Sequence, residues 1–195
     1  MENFDALDLI AQTRGEVEMD EVPTGENLFL VWGWPTALFF LLEFVLWFCF
    51  RLEWSLWLWT GIPLVAIPFM VYYLRKDHAR THTRTRGAKI ILDYWIFTGV
   101  ACFAGALILS LAHLGEECLL PLIGLLVGTG SFVSGEVLRF RPKTVGGLLG
   151  CVIGGGSVLF QEALWHWQLL AMALVAVIAL IIPGSLFNKF VRNGA

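Results

Sequence analysis

Charge is scarce in this chain: only 15% of its 195 residues are Asp, Glu, Lys or Arg, while 57% are hydrophobic. Soluble domains carry about 25% charged residues. A chain of this size with so few charges cannot cover its apolar groups with a wet surface, which leaves the bilayer as its solvent. A basic start is missing too. The first 27 residues hold eight acids and one base, Arg14, whereas a secretory leader opens with a positive region. The first apolar run, from Leu28, is therefore expected to be a retained membrane anchor. Cys49, Cys102, Cys118 and Cys151 form no CxxC or other metal-ligand spacing, so neither a metal ribbon nor a disulfide framework is indicated. No Ser-His-Asp order, HExxH, P-loop or dinucleotide fingerprint occurs. The glycine-rich "GCVIGGG" is apolar throughout and makes a poor phosphate cradle. These gaps argue against an enzyme and imply no cofactor.

What is present is a series of six apolar runs. They span roughly Leu28–Phe50, Trp54–Leu74, Ile90–Leu111, Leu119–Leu138, Val145–Phe160 and Trp167–Phe187. Each lies near the roughly 20 residues that cross a bilayer core as a helix. Lipid-exposed backbone must satisfy its own hydrogen bonds, and the alternating ten-residue segments of a barrel are absent, so helices are expected. The expected fold is an all-α bundle of six transmembrane helices. It divides into an acidic segment (1–27), the membrane domain (28–188) and a short tail (189–195).

Charge distribution orients that bundle. The connection between runs two and three carries Arg75, Lys76, Arg80, Arg84, Arg86 and Lys89. The next even-numbered one carries Arg139, Arg141 and Lys143, and the tail carries Lys189 and Arg192. The other connections hold a single cation, Arg51. Lys and Arg of short loops stay cytoplasmic, so both termini are expected inside. Trp47, Trp54, Trp57, Trp165 and Trp167 flank the outer connections, and Trp32, Trp34 and Trp95 lie near the inner face, as interfacial tryptophans do. Trp59 sits deeper.

The acidic start has helical spacing at Phe4, Leu7, Ile10 and Ala11. An amphipathic helix there would suit docking onto the basic stretch "RKDHARTHTRTRGAK". That stretch holds His78 and His82, four apart, but further ligands for a metal are missing and the cations repel one. It contains no aromatic base-stacking residue, which argues against nucleic acid. Contact with anionic lipid headgroups or a cytoplasmic protein partner is the better reading of Arg75, Lys76, Arg80, Arg84, Arg86 and Lys89.

Ionisable groups inside membrane helices are expensive and count as candidates for function. Glu43, in "FFLLEFVLWF", is the foremost. Its plainer reading is a carboxyl group that is protonated or hydrogen-bonded to a neighbouring helix. Asp93 and Glu136 lie nearer the cytoplasmic ends, where pairing with Lys89, Arg139 or Arg141 is expected. On the outer side, His113, Glu116, Glu117, Glu162 and His166 have the chemistry to hold a divalent cation, although their spacing demands no site. Gly124 and Gly128, and then Gly146, Gly150 and Gly154, form small-residue ribbons. Such ribbons let helices approach closely, within one chain or across a homodimer seam. Pro63 and Pro68 mark the second run for a bend.

"LFLVWGWPTAL", "GTGSFVSGEVLRFRP" and "ALIIPGSLFNKF" together resemble a family of small bacterial inner-membrane proteins without assigned activity, often encoded beside a winged-helix transcriptional regulator. A small residue often stands in that family where Glu136 stands here. The resemblance implies six membrane helices and no chemistry. Two functions are therefore expected: a non-catalytic interaction or regulatory membrane protein, or a small channel or transporter that uses Glu43.

Overall fold

A computed structural model describes residues 25–51, 58, 61–78, 86–111, 118–160 and 166–194. Among them every regular element is helical. The helices are α1 (Gly25–Phe50), α2 (Gly61–His78), α3 (Arg86–Leu111), α4 (Leu119–Val137) and α5 (Arg141–Gly156). A 3₁₀ turn, Ser157–Leu159, closes α5. A terminal helix follows, made of α6 (Trp167–Val175), a π-helical stretch (Ala176–Ile181) and α7 (Ile182–Gly194).

Among the described residues, five helical segments are long and apolar enough to cross a membrane: Phe29–Phe50, Lys89–Leu109, Leu119–Val137, Arg141–Leu159 and Trp167–Phe190. The described residues are thus all-helical, with helices fit by length and composition to cross a membrane. The apolar part of α2 is shorter, Gly61–Tyr73. The second run was expected from Trp54, but its helix begins at Gly61, and residues 52–57 lie outside the described residues. The fifth was expected from Val145 and starts instead at Arg141, because Pro142 fits the first helical turn, where its missing N–H removes no bond.

The glycine ribbons place α4 and α5 side by side in the most extensive helix contact among the described residues. A methyl group on Gly124 would meet Gly154, and one on Gly128 would meet Gly150 and Cys151. One on Gly147 would meet Phe132, and one on Gly135 would meet Lys143 and Thr144. Only hydrogen fits at these crossings, so the two backbones touch from the Gly124–Gly154 crossing to the Gly135–Thr144 one. Gly146 and Gly150 also receive the terminal helix: a methyl on Gly146 would lie 2.5 Å from the Ile178 carbonyl oxygen, and one on Gly150 3.0 Å from the Ala179 methyl.

The terminal helix is the hub. It packs on α1, α4 and α5 and supplies Leu169, Met172, Ala173, Val175, Ala176, Ala179 and Leu180 to the buried interior. α2 packs chiefly on α1, and α3 chiefly on α4. Trp95 ties α3 inward: its indole N–H donates to Ser134 Oγ at 3.1 Å, and its ring meets the Phe29 ring edge-on at 5.6 Å.

The π-helical stretch has a chemical cause. Pro183 carries no N–H for the carbonyl four residues back, Ala179, nor for the one five back, Ile178. Ile182 already bonds in the five-back pattern, to Val177. The Ser131 hydroxyl of α4 donates to the Ala179 oxygen at 2.5 Å, and the Ile178 oxygen lies against Gly146. Serine and glycine on the neighbouring helices thus receive the two carbonyls that proline strands.

Candidate functional site

Glu43 lies on the face of α1 that meets the terminal helix. Phe40, one turn earlier, packs in a cluster with Ile62, Leu169, Met172 and Ala173. Trp47, one turn later, stacks on the His166 ring with centroids 4.4 Å apart. Residues three and four apart share a helix face, so Glu43 lies between these two contacts. It is 1% exposed, and its Oε2 has no hydrogen-bond partner among the described residues. Gln168, equally buried, donates its amide N–H groups to the Ser157 and Phe160 carbonyls at 3.3 and 3.4 Å.

Above this layer sits an aromatic lid. His166 ends the connection into α6 and is buried among Phe44, Trp47, Phe48 and Trp167, at ring distances of 4.4 to 6.4 Å. The Arg51 guanidinium covers Trp47 at 4.8 Å from its ring centre. Burial lowers the His166 imidazole below its ordinary range, and the nearby Arg51 charge adds to the effect. The neutral imidazole is favoured here, packed among these rings. Among the described residues no three Asp, Glu, His or Cys come together as metal ligands. His113, Glu116, Glu117 and Glu162, the other members of the expected outer cluster, lie outside the described residues.

The remaining candidates are dispersed. Asp93 and Glu136 are exposed on α3 and α4. The pairing expected of them differs from what is observed: no ion pair joins either to Lys89, Arg139 or Arg141 among the described residues. Arg139 instead turns outward at φ 51°, ending α4 in a left-handed conformation with Phe140 N–H donating to the Gly135 carbonyl. Lys143, expected in a polar connection, is 2% exposed, and its ammonium lies over the Phe29 ring. The face of the aromatic ring attracts the cation. In the basic stretch, Arg75 and Lys89 are exposed. Arg80, Arg84 and His82, the side chains of Lys76, His78 and Arg86, and the acidic start with its expected helix lie outside the described residues.

Sequence reading missed the Ser131–Ala179 bond and the Trp47–His166 lid. Pro183 inside an apolar run was the signal for the first. The second needed the end of α1 and the start of α6 to be known as neighbours. No protein family, no curated protein and no solved structure matches this chain.

Proposed function

We propose that this chain is a six-pass protein of the bacterial inner membrane, with both termini cytoplasmic, that acts by binding a partner rather than by catalysis or transport. The resemblance of its three quoted stretches to a regulator-linked membrane family supports the location. The observation that carries the functional reading is the setting of Glu43. The one acid deep in a span among the described residues is buried between Phe40, which packs on Leu169 and Met172, and Trp47, which stacks on His166 in the aromatic lid. A solute route needs convergent polar groups along its length. Here the α4–α5 seam is closed by backbone contact, and the residues one turn either side of Glu43 pack into an apolar cluster and an aromatic stack.

The working surface is then cytoplasmic: the basic stretch with exposed Arg75 and Lys89, and the acidic segment 1–27 as its docking element or its competitor. A photoreactive residue in place of Arg75 should crosslink one defined partner, and deletion of residues 1–22 should abolish that product. An unchanged product would remove the acidic segment from the account. Transport is the second reading, favoured by the unpartnered Oε2 of Glu43. Purified protein in liposomes should show no ion or solute flux. Flux that falls with Glu43→Gln would replace the binding reading.

A further inference from the structure

α2 starts beside the middle of α1, not beside its end. A methyl group on Gly61, the first residue of α2, would lie 2.7 Å from the Phe39 ring, and Ile62 packs in the cluster that holds Phe40. From Phe39 to the end of α1 at Phe50 is roughly 16 Å of helix rise. The direction of α2 follows from what comes next. Ile91 of α3 packs with Phe29, near the start of α1, and the stretch that joins His78 to Arg86 spans at most about 28 Å when fully extended. Were α2 to run towards the Arg51 end, His78 would stand roughly 40 Å from the level of Phe29, out of reach. α2 therefore runs antiparallel to α1. Its N-terminal end points towards the Arg51 end of α1, and its other end leads through Arg75 into the basic stretch.

Glu43 lies directly beyond that N-terminal end. On the surface of α1 it falls between the directions of Phe39 and Phe40, one turn further along. Helical side chains lean back towards their own N-terminus and cover the preceding turn. The Glu43 side chain is thereby carried over the turn beside which α2 begins. It is 1% exposed, and its Oε2 has no hydrogen-bond partner among the described residues. A helix of 18 residues such as α2 carries a partial positive charge at its N-terminal end, where the first N–H groups have no acceptor within the helix. Such ends attract anions. The other polar groups of this layer are engaged elsewhere. Gln168 donates to the Ser157 and Phe160 carbonyls. His166 and the Arg51 guanidinium pack on Trp47, one turn further towards the end of α1.

α2 is held from one side. It packs chiefly on α1, with Ile62 and Ala66 buried and Leu64, Ile67, Phe69 and Tyr72 exposed. We propose that Glu43 and the N-terminal end of α2 form a charge-sensing pair: ionisation of Glu43 draws the start of α2 towards it and, through α2, shifts the basic stretch that begins at Arg75. That stretch is the surface assigned above to a partner, so the regulatory role of the pair rests on the partner-binding reading, while the motion itself needs no partner. Proton exchange at Glu43 requires only transient opening of the lid and no standing water path.

The test is the distance between spin labels at positions 75 and 141, in the full-length protein in lipid nanodiscs with the native cysteines replaced. Arg75, near the far end of α2, and Arg141, at the start of α5, are both exposed. With Glu43 present, the distance should change by about 2 Å, the scale of helix shifts in switching proteins, between about pH 5 and about pH 9, a range that covers buried carboxyl groups. Glu43→Gln keeps the shape but cannot ionise, and should hold one distance across that range, as should Glu43→Met. His166→Phe removes the neighbouring titratable group and should leave the shift in place. Labels at 141 and 189, on α5 and α7, should stay at a constant distance. A distance from 75 to 141 that ignores pH would overturn the pair. So would a shift that persists in Glu43→Gln, or one that His166→Phe abolishes. A Glu43-dependent shift with no crosslinked product at Arg75 would support the pair and count against the partner-binding reading alone.

Discussion

Along the terminal helix, 61% of the apolar window in Trp167–Phe190 is buried within the protein; along α3, only 12% of the window in Lys89–Leu109 is. The terminal helix is the more apolar of the two, but hydrophobicity alone does not hold helices together in lipid. Small residues do. The terminal helix meets α5 at Gly146 and Gly150, and α5 meets α4 at Gly124, Gly128 and Gly135. α3 presents Ile96, Phe97, Val100, Phe103 and Ile108 outward. In lipid, apolar surface gains nothing by leaving one hydrocarbon for another, so association rests on close packing and hydrogen bonds. The side of the bundle with glycine and serine becomes a fixed block, and the side with bulky residues faces acyl chains or another protein.

The sharpest way to break this comparison is to give both sides the same substitution. Gly147→Val forces side-chain atoms into the Phe132 backbone and should destabilise by about 3 kcal/mol or more, as overpacking does. Gly99→Val on α3, where nothing lies within 4 Å, should leave melting in detergent almost unchanged. Equal losses at the two positions would mean that the α4–α5 seam is not the structural block.

Next in size is Glu43. An acid with an unpartnered oxygen in an apolar layer works against packing, so Glu43→Met should raise stability by about 1 kcal/mol or more. A large loss of folded protein would show instead that the carboxyl group holds a structural bond. Ser131→Ala strands the Ala179 carbonyl and should cost about 1 kcal/mol. Pro183→Ala restores an N–H for that carbonyl, so the Ser131→Ala loss should shrink in the Pro183→Ala background. Additive losses in this cycle would separate the two features.

The smallest effect is on pH. The folded protein holds His166 below the ordinary imidazole value of about 6.5. The unfolded chain therefore takes up its proton first as pH falls. The neutral imidazole's contribution is fully present above about pH 6.5 and is lost as pH falls from there towards the lower folded value. Wild type should lose stability over that window, and His166→Phe should lose less. Parallel profiles would place the titrating group elsewhere.

Much of this division is legible in the chain itself. Leu119 and Phe50 mark helix ends to the residue, because polar joints flank them. The GxxxG rows announce a close seam, although their spacing alone leaves open whether the partner helix is in the same chain. Lys143 misleads, because a lysine reads as a loop while here its ammonium is buried over the Phe29 ring. The lid was hidden for another reason. Trp47 and His166 are far apart in sequence, and no local pattern says that the end of α1 faces the start of α6.

The account rests most heavily on the dry enclosure of Glu43, and thiol accessibility tests that directly. In a background with the four native cysteines replaced, single cysteines at positions 43, 51 and 75 would be labelled in membranes with a membrane-impermeant maleimide. The account predicts labelling at 51 from one side, at 75 only when the other side is opened, and none at 43 under either condition. Labelling at 43 would reveal a water path into the bundle and contradict it.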